Sequence, residues 1–409
     1  MTSQIRSVAA ILLSTLVFLM GNGLLGTLIP VRAHISGFSD FAIGLIGSAY
    51  YIGFVVGCFA GPRMLARAGH SRTFAVAAGL ASTAALIQAL QVSEWAWIVT
   101  RGFFGFAAAM LYMVLESWLN DRATNEMRGR IFASYMVVNY LGLMLGQWLF
   151  ATGRPTSFSL FSLAAILYSL CLIPVGLTRT PQPAPAIVPA LNPLKIFRVS
   201  PVGVAGCIAV GFANAAVWVF APLYAEDHGM TRALLAAFMI AFTLGGAISQ
   251  MPVGRLSDRM DRRLVIAGIT FAAAIAGIFL YMFGGRSQTL TLALVAVFGI
   301  VTLPVYGLSV AHTNDRLPRE MFVEASATLL MINALASVVG PLIASAVTAR
   351  FGSASLFLYT ALCHVLLFAF ALVRMGVKAT PPAELREPFE PVPPQAASPQ
   401  VLELDPRSP

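Results

Sequence analysis

Two ionisable side chains, Arg101 and Glu116, interrupt one apolar run of the 409-residue chain, and four amides, Asn22, Asn139, Asn214 and Asn333, fall near the middle of others. Charges and amides are costly in hydrocarbon, so such groups face a partner, a cavity or a solute. Arg101 can attract an anion or perturb a proton site; its structural alternative is to bond helix carbonyls and hold neighbouring helices. Glu116 can carry a coupled proton, because apolar surroundings favour a neutral carboxyl. Arg122, Arg128 and Arg130 nearby offer it a structural ion pair instead. The two charges cannot pair with each other, since their separation of fifteen residues puts them about 22 Å apart along a helix.

The four asparagines can offer donors and acceptors to a solute, or make interhelical hydrogen bonds worth about 1 kcal/mol or less. Trp218, one turn after Asn214, and Tyr306 add aromatic wall to such a path, as do Tyr50, Tyr51, Gln147, Gln250 and His312. For the aromatics, the alternative is an interface anchor or core. The five histidines are scattered and the four cysteines lack CxxC spacing, so no metal site or disulfide framework is expected. There is no Gly-Lys-Ser/Thr phosphate loop, GxSxG or HExxH, which argues against an ATP-driven pump and an enzyme and leaves no cofactor to expect.

The elements that must position these residues are membrane helices. With 58% hydrophobic and 11% charged residues, the chain has too little polar sequence for a soluble protein. Twelve apolar stretches, near 8–29, 41–61, 72–91, 95–119, 131–152, 157–178, 201–224, 232–254, 263–283, 288–311, 322–349 and 352–374, are each long enough to span hydrocarbon. The first reads as a retained helix rather than a cleaved signal. With the N-terminus inside, twenty Lys and Arg lie in inner segments and five in outer loops, which places both termini in the cytoplasm. The net charge of +9 is therefore a topology signal and not a nucleic-acid footprint. Residues 179–200 read as a proline-rich linker between a first bundle, 1–178, and a second, 201–375. Residues 376–409, rich in proline and scattered charge, are expected to be a disordered cytoplasmic tail.

The chain is also written twice. A shift of 192 carries Asn22 onto Asn214, Pro30 onto Pro222 and Arg67 onto Arg259; a shift of 194 carries Asn120-Asp121-Arg122 onto Asn314-Asp315-Arg316 and Asn139 onto Asn333. Such doubling in an apolar chain implies a solute path between two copies. Arg101 and Glu116 are not duplicated: Val295 and Val310 occupy their places. Arg130 falls on Glu324 and Asp258 on Ala66, so the loop charges exchange sign together. Two cytoplasmic latches are expected, Asp258 with Arg130 and Arg67 with Glu324, with Arg259 beside them; solvated topology charges are the alternative.

Residues 254–263, GRLSDRMDRR, with a degraded twin at 62–72, and Arg101 followed by Gly105 resemble motifs of the Major Facilitator Superfamily. Residues 116–130, 250–263 and 311–318 are similar to its YcaD-like branch of bacterial inner-membrane transporters. The resemblance covers residues 1 to about 375 and implies an all-α membrane fold of twelve helices in two pseudo-symmetric six-helix bundles. It implies a monomeric secondary transporter of a small organic solute, working by alternating access and driven by protons. A uniporter and an efflux antiporter are the nearest alternatives; a non-transporting sensor is a further one.

Overall fold

The computed structural model describes residues 2–123, 127–177, 183, 191–377, 388, 389 and 391, and these are helical apart from turns and short connections. The chain divides into two compact units between Pro189 and Ala190. In the first, α1 (Thr2–Ile35), α2 (Asp40–Ala68), α3 (His70–Leu90), α4 (Glu94–Arg122), α5 (Arg128–Phe150), α6 (Phe158–Leu170) and a short α7 (Leu172–Gly176) follow in order. The second contains α8 (Pro193–Val199), α9 (Pro201–Asp227), α10 (Arg232–Arg259), α11 (Arg262–Phe283), α12 (Gln288–Thr302), α13 (Val305–Asn314), α14 (Phe322–Phe351) and α15 (Ser355–Met375).

Eleven of the expected twelve spans are helices long and apolar enough to cross a membrane. The remaining one folds as α5, whose Tyr135, Asn139, Tyr140, Gln147 and three glycines dilute its apolar content. Two spans are interrupted. The first continues from α6 into α7 past Cys171, and the other continues from α12 into α13 at Leu303 and Pro304, where proline cannot supply the helical N–H.

The sequence repeat reappears as local structure within each unit. Ser39 caps α2 by accepting from the Ala42 N–H, and its repeat counterpart Thr231 caps α10 by accepting from the Leu234 N–H. In the first unit α1 packs on α5 and α2 on α4; in the second α9 packs on α14 and α10 on α12. Lipid gives no hydrophobic drive for such pairing, so backbones must approach closely through small residues. At Gly105 a methyl group would fall on the Tyr50 carbonyl oxygen, which is how closely α4 meets α2. At Gly146 of α5 it would fall on the Met20 carbonyl of α1.

The tail expectation needs a local correction. Most of residues 376–409 lie outside the described residues, but Phe389 is packed and only 7% exposed. Its ring joins Val202, Val265, Leu308 and Leu367 in the core of the second unit and lies against Gly254, where there is no side chain to exclude it.

Candidate functional site

In the first unit the Arg101 guanidinium lies 4.8 Å from the Tyr50 ring centroid and 4.9 Å from that of Phe104. The α2–α4 contact at Gly105 positions it, bringing Tyr50 under the arginine. Tyr168 of α6 completes this side, 5.3 Å from the Phe104 ring, while Tyr51 stands edge-on to Tyr50 at 5.1 Å. Arg101 meets no carboxylate within 4 Å among the described residues, and its enclosed Nη1 has no hydrogen-bond partner. The buried hydroxyls of Tyr50 and Tyr168 are likewise without one. Nη1 thus bonds no helix carbonyl, while the contact with the Tyr50 ring holds α4 against α2.

Glu116 is fully buried, and its carboxylate accepts a 2.5 Å hydrogen bond from the Tyr135 hydroxyl of α5. Arg122, one of its expected ion-pair partners, lies 3.5 Å from the Asp121 carboxylate. Asn22 donates to the Tyr112 hydroxyl at 3.4 Å, and Tyr112 precedes Glu116 by one turn of α4. Arg101 and Glu116 thus remain unpaired with each other, while Tyr50, Asn22 and Tyr112 make the ground between them polar. Sequence reasoning passed over Tyr112, Tyr135 and Tyr168. A signal existed for the first, because the 194 shift carries Tyr112 onto Tyr306.

The asparagines separate into two kinds. Asn139 donates to the Tyr135 carbonyl of its own helix at 2.8 Å, and Asn333 of α14 donates to the Cys207 carbonyl of α9 at 2.9 Å. The first bond stays within α5, and the second joins α14 to α9. Asn214, 8% exposed, keeps a buried side-chain oxygen without a partner. Trp218, one turn on, leaves its indole N–H unpartnered and stands edge-on to Phe242 at 5.3 Å. Tyr306 packs between apolar clusters of the second unit.

The loop between α10 and α11 is built around Arg262, whose side chain is 1% exposed. Its Nε meets Asp315 at 2.7 Å, its Nη2 meets Asp258 at 3.0 Å and its Nη1 donates to Ser257 at 2.9 Å. The guanidinium therefore ties the start of α11 to the end of α13. Asp258 also accepts from the Phe389 N–H at 2.9 Å. Glu324 lies 3.7 Å from Lys195. The carboxylates expected to serve latches thus have partners inside their own unit, Arg262 for Asp258 and Lys195 for Glu324. Arg67, Arg130 and Arg259 are exposed. Burial first and neighbouring Arg263 second hold the Arg316 guanidinium below its ordinary value. In the first unit His70 and Ala66 stand where Arg262 and Asp258 stand, and the His70 ring meets Ser117 at 2.9 Å.

Comparison with known proteins identifies the family. The sequence signature of the Major Facilitator Superfamily matches residues 11–243 and, in a second match, residues 203–403. The uncharacterized MFS-type transporter YE1530 of Yersinia enterocolitica is 26% identical over 95% of this chain and 99% of its own. The uncharacterized MFS-type transporter YcaD of Escherichia coli is 24% identical over 94% of this chain and all of its own. Among solved structures, a bacterial homolog of the human lysosomal transporter Spinster superposes with a TM-score of 0.78 at 14% identity, covering 95% of this chain and 99% of that one. With the family signature present in both units and apolar helices long enough to span a bilayer, the chain is a multi-pass membrane protein of the Major Facilitator Superfamily.

Proposed function

We propose that the protein is a secondary active transporter that moves a small organic solute across the bacterial inner membrane by alternating access, as a proton-coupled monomer with both termini in the cytoplasm. Family membership supports transport, and the loop distribution of Lys and Arg supports the orientation. The observation that carries proton coupling is Glu116, a carboxyl wholly buried in a membrane helix and bonded to Tyr135. A carboxyl that gains or loses a proton there changes its charge in a low-dielectric setting, where charge is costly. Conformations that solvate it differently then differ in proton affinity, which is the linkage that coupling requires.

Asn22, Asn214 and Trp218 lead the solute contacts on this reading, with Tyr306 beside them, Asn333 as a helix-packing support and Asn139 bonded within α5. Arg67, Arg130, Asp258, Arg259 and Glu324 set the balance between conformations.

The test is a thermal-shift screen of the purified chain against metabolites and drugs, followed by transport of the hits in proteoliposomes. Proton-driven accumulation should collapse with a protonophore and in Glu116→Gln, while gradient-independent exchange persists. Uptake indifferent to the gradient would leave a uniporter. A screen in which no stabilising compound is moved would remove the transport reading.

A further inference from the structure

A buried cation ordinarily has a counter-ion, because an uncompensated charge in a low-dielectric interior costs several kcal/mol. Arg101, half-buried with its Nη1 enclosed, has none among the described residues: no carboxylate within 4 Å, and no acceptor for Nη1. What it has are the rings of Tyr50 and Phe104, at 4.8 and 4.9 Å. Cation–π contact offsets part of the desolvation and takes up the faces of a guanidinium, leaving its N–H edge for a planar acceptor. Beside it, two buried hydroxyls, Tyr50 and Tyr168, also lack partners. A fixed positive charge and two unused hydroxyls, held in an aromatic wall, form a cradle short of one negative charge.

We propose that this cradle binds the carboxylate of an organic monoanion, with Arg101 as the charge partner and the hydroxyls of Tyr50 and Tyr168 as flanking donors. The single positive charge selects a monoanion, since a dianion would bring an uncompensated charge into the same interior. The guanidinium fork matches the two oxygens of a carboxylate. The rings of Tyr50, Tyr51, Phe104 and Tyr168 suit an apolar or aromatic body on the same molecule. The inference rests on the transport reading for its biological sense, but binding is measured without transport, so the two can fail separately.

The experiment is a thermal-shift and calorimetric series on the full purified chain in neutral detergent. Small monocarboxylates such as benzoate and phenylacetate are each compared with their own amides, and phosphatidylglycerol is a separate arm. Acids should stabilise the protein and amides of the same shape should bind at least about tenfold more weakly. Arg101→Gln should abolish that discrimination, Arg101→Lys retain part of it, and the Tyr50→Phe/Tyr168→Phe pair reduce it while leaving the charge in place. If Arg101→Gln fails to fold, the tyrosine pair and the wild-type comparison still decide. Acids and amides binding alike, discrimination that survives Arg101→Gln, stabilisation by the anionic lipid alone, or no stabilisation by any probe would each overturn the proposal. Monoanion binding without any transport would instead sink the transport reading.

Discussion

The backbone N–H of Phe389 donates to the Asp258 carboxylate at 2.9 Å, so the chain beyond the last membrane helix returns to the loop between α10 and α11. The same carboxylate holds Arg262, and the Phe389 ring fills the space that Gly254 leaves. Phe389→Ala should therefore destabilise the second unit by about 3–5 kcal/mol, in the range of buried Phe truncations. Thermal unfolding in detergent checks this, and an unchanged midpoint would mean the ring is not anchored in solution.

Arg262 and Asp315 form a buried pair at 2.7 Å. Removing one partner leaves the other charge uncompensated, so Arg262→Met and Asp315→Leu should each cost about 3–5 kcal/mol, while the double substitution recovers much of the loss. A double-mutant cycle of unfolding midpoints measures it; additive losses would count against the pairing.

Tyr135→Phe removes a hydroxyl that donates to the Glu116 carboxylate and should cost about 1–3 kcal/mol, because a buried acceptor loses a charge-assisted bond. Glu116→Gln keeps a group able to accept that bond, so its unfolding midpoint should stay closer to wild type than that of Tyr135→Phe.

Two asparagines should behave oppositely. Asn333→Ala deletes a bond to the Cys207 carbonyl and should cost about 0.6–1.7 kcal/mol, the scale of interhelical hydrogen bonds in membranes. Asn214→Ala removes an unpartnered oxygen and should be neutral or slightly stabilising, with its effect appearing in solute affinity. Equal destabilisation by both would assign Asn214 to packing as well.

Gly105→Ala places a methyl on the Tyr50 carbonyl and should cost about 1–3 kcal/mol as overpacking. Because Tyr50 lies under Arg101, the same substitution should weaken carboxylate binding more than amide binding. A loss of stability with no change in that ratio would separate the helix contact from the cradle.

The membrane helices were legible in the sequence because each is a local property of composition: apolar length decides them before any tertiary contact forms. The repeat was legible for the same reason, and its broken positions, Arg101 and Glu116 against Val295 and Val310, marked charges without a symmetric twin. The residue partners were a different matter. Asn139 and Asn333 looked equivalent along the chain, yet one bonds its own helix and the other a neighbour, a choice set by which backbone carbonyl lies within reach. Arg262 read as a loop charge, and only the fold buries it between Asp258 and Asp315, residues 4 and 53 positions away. Composition fixes which segments leave water, whereas hydrogen bonds and ion pairs depend on distances of a few ångström between segments remote in the chain. Those distances exist only once the helices have packed.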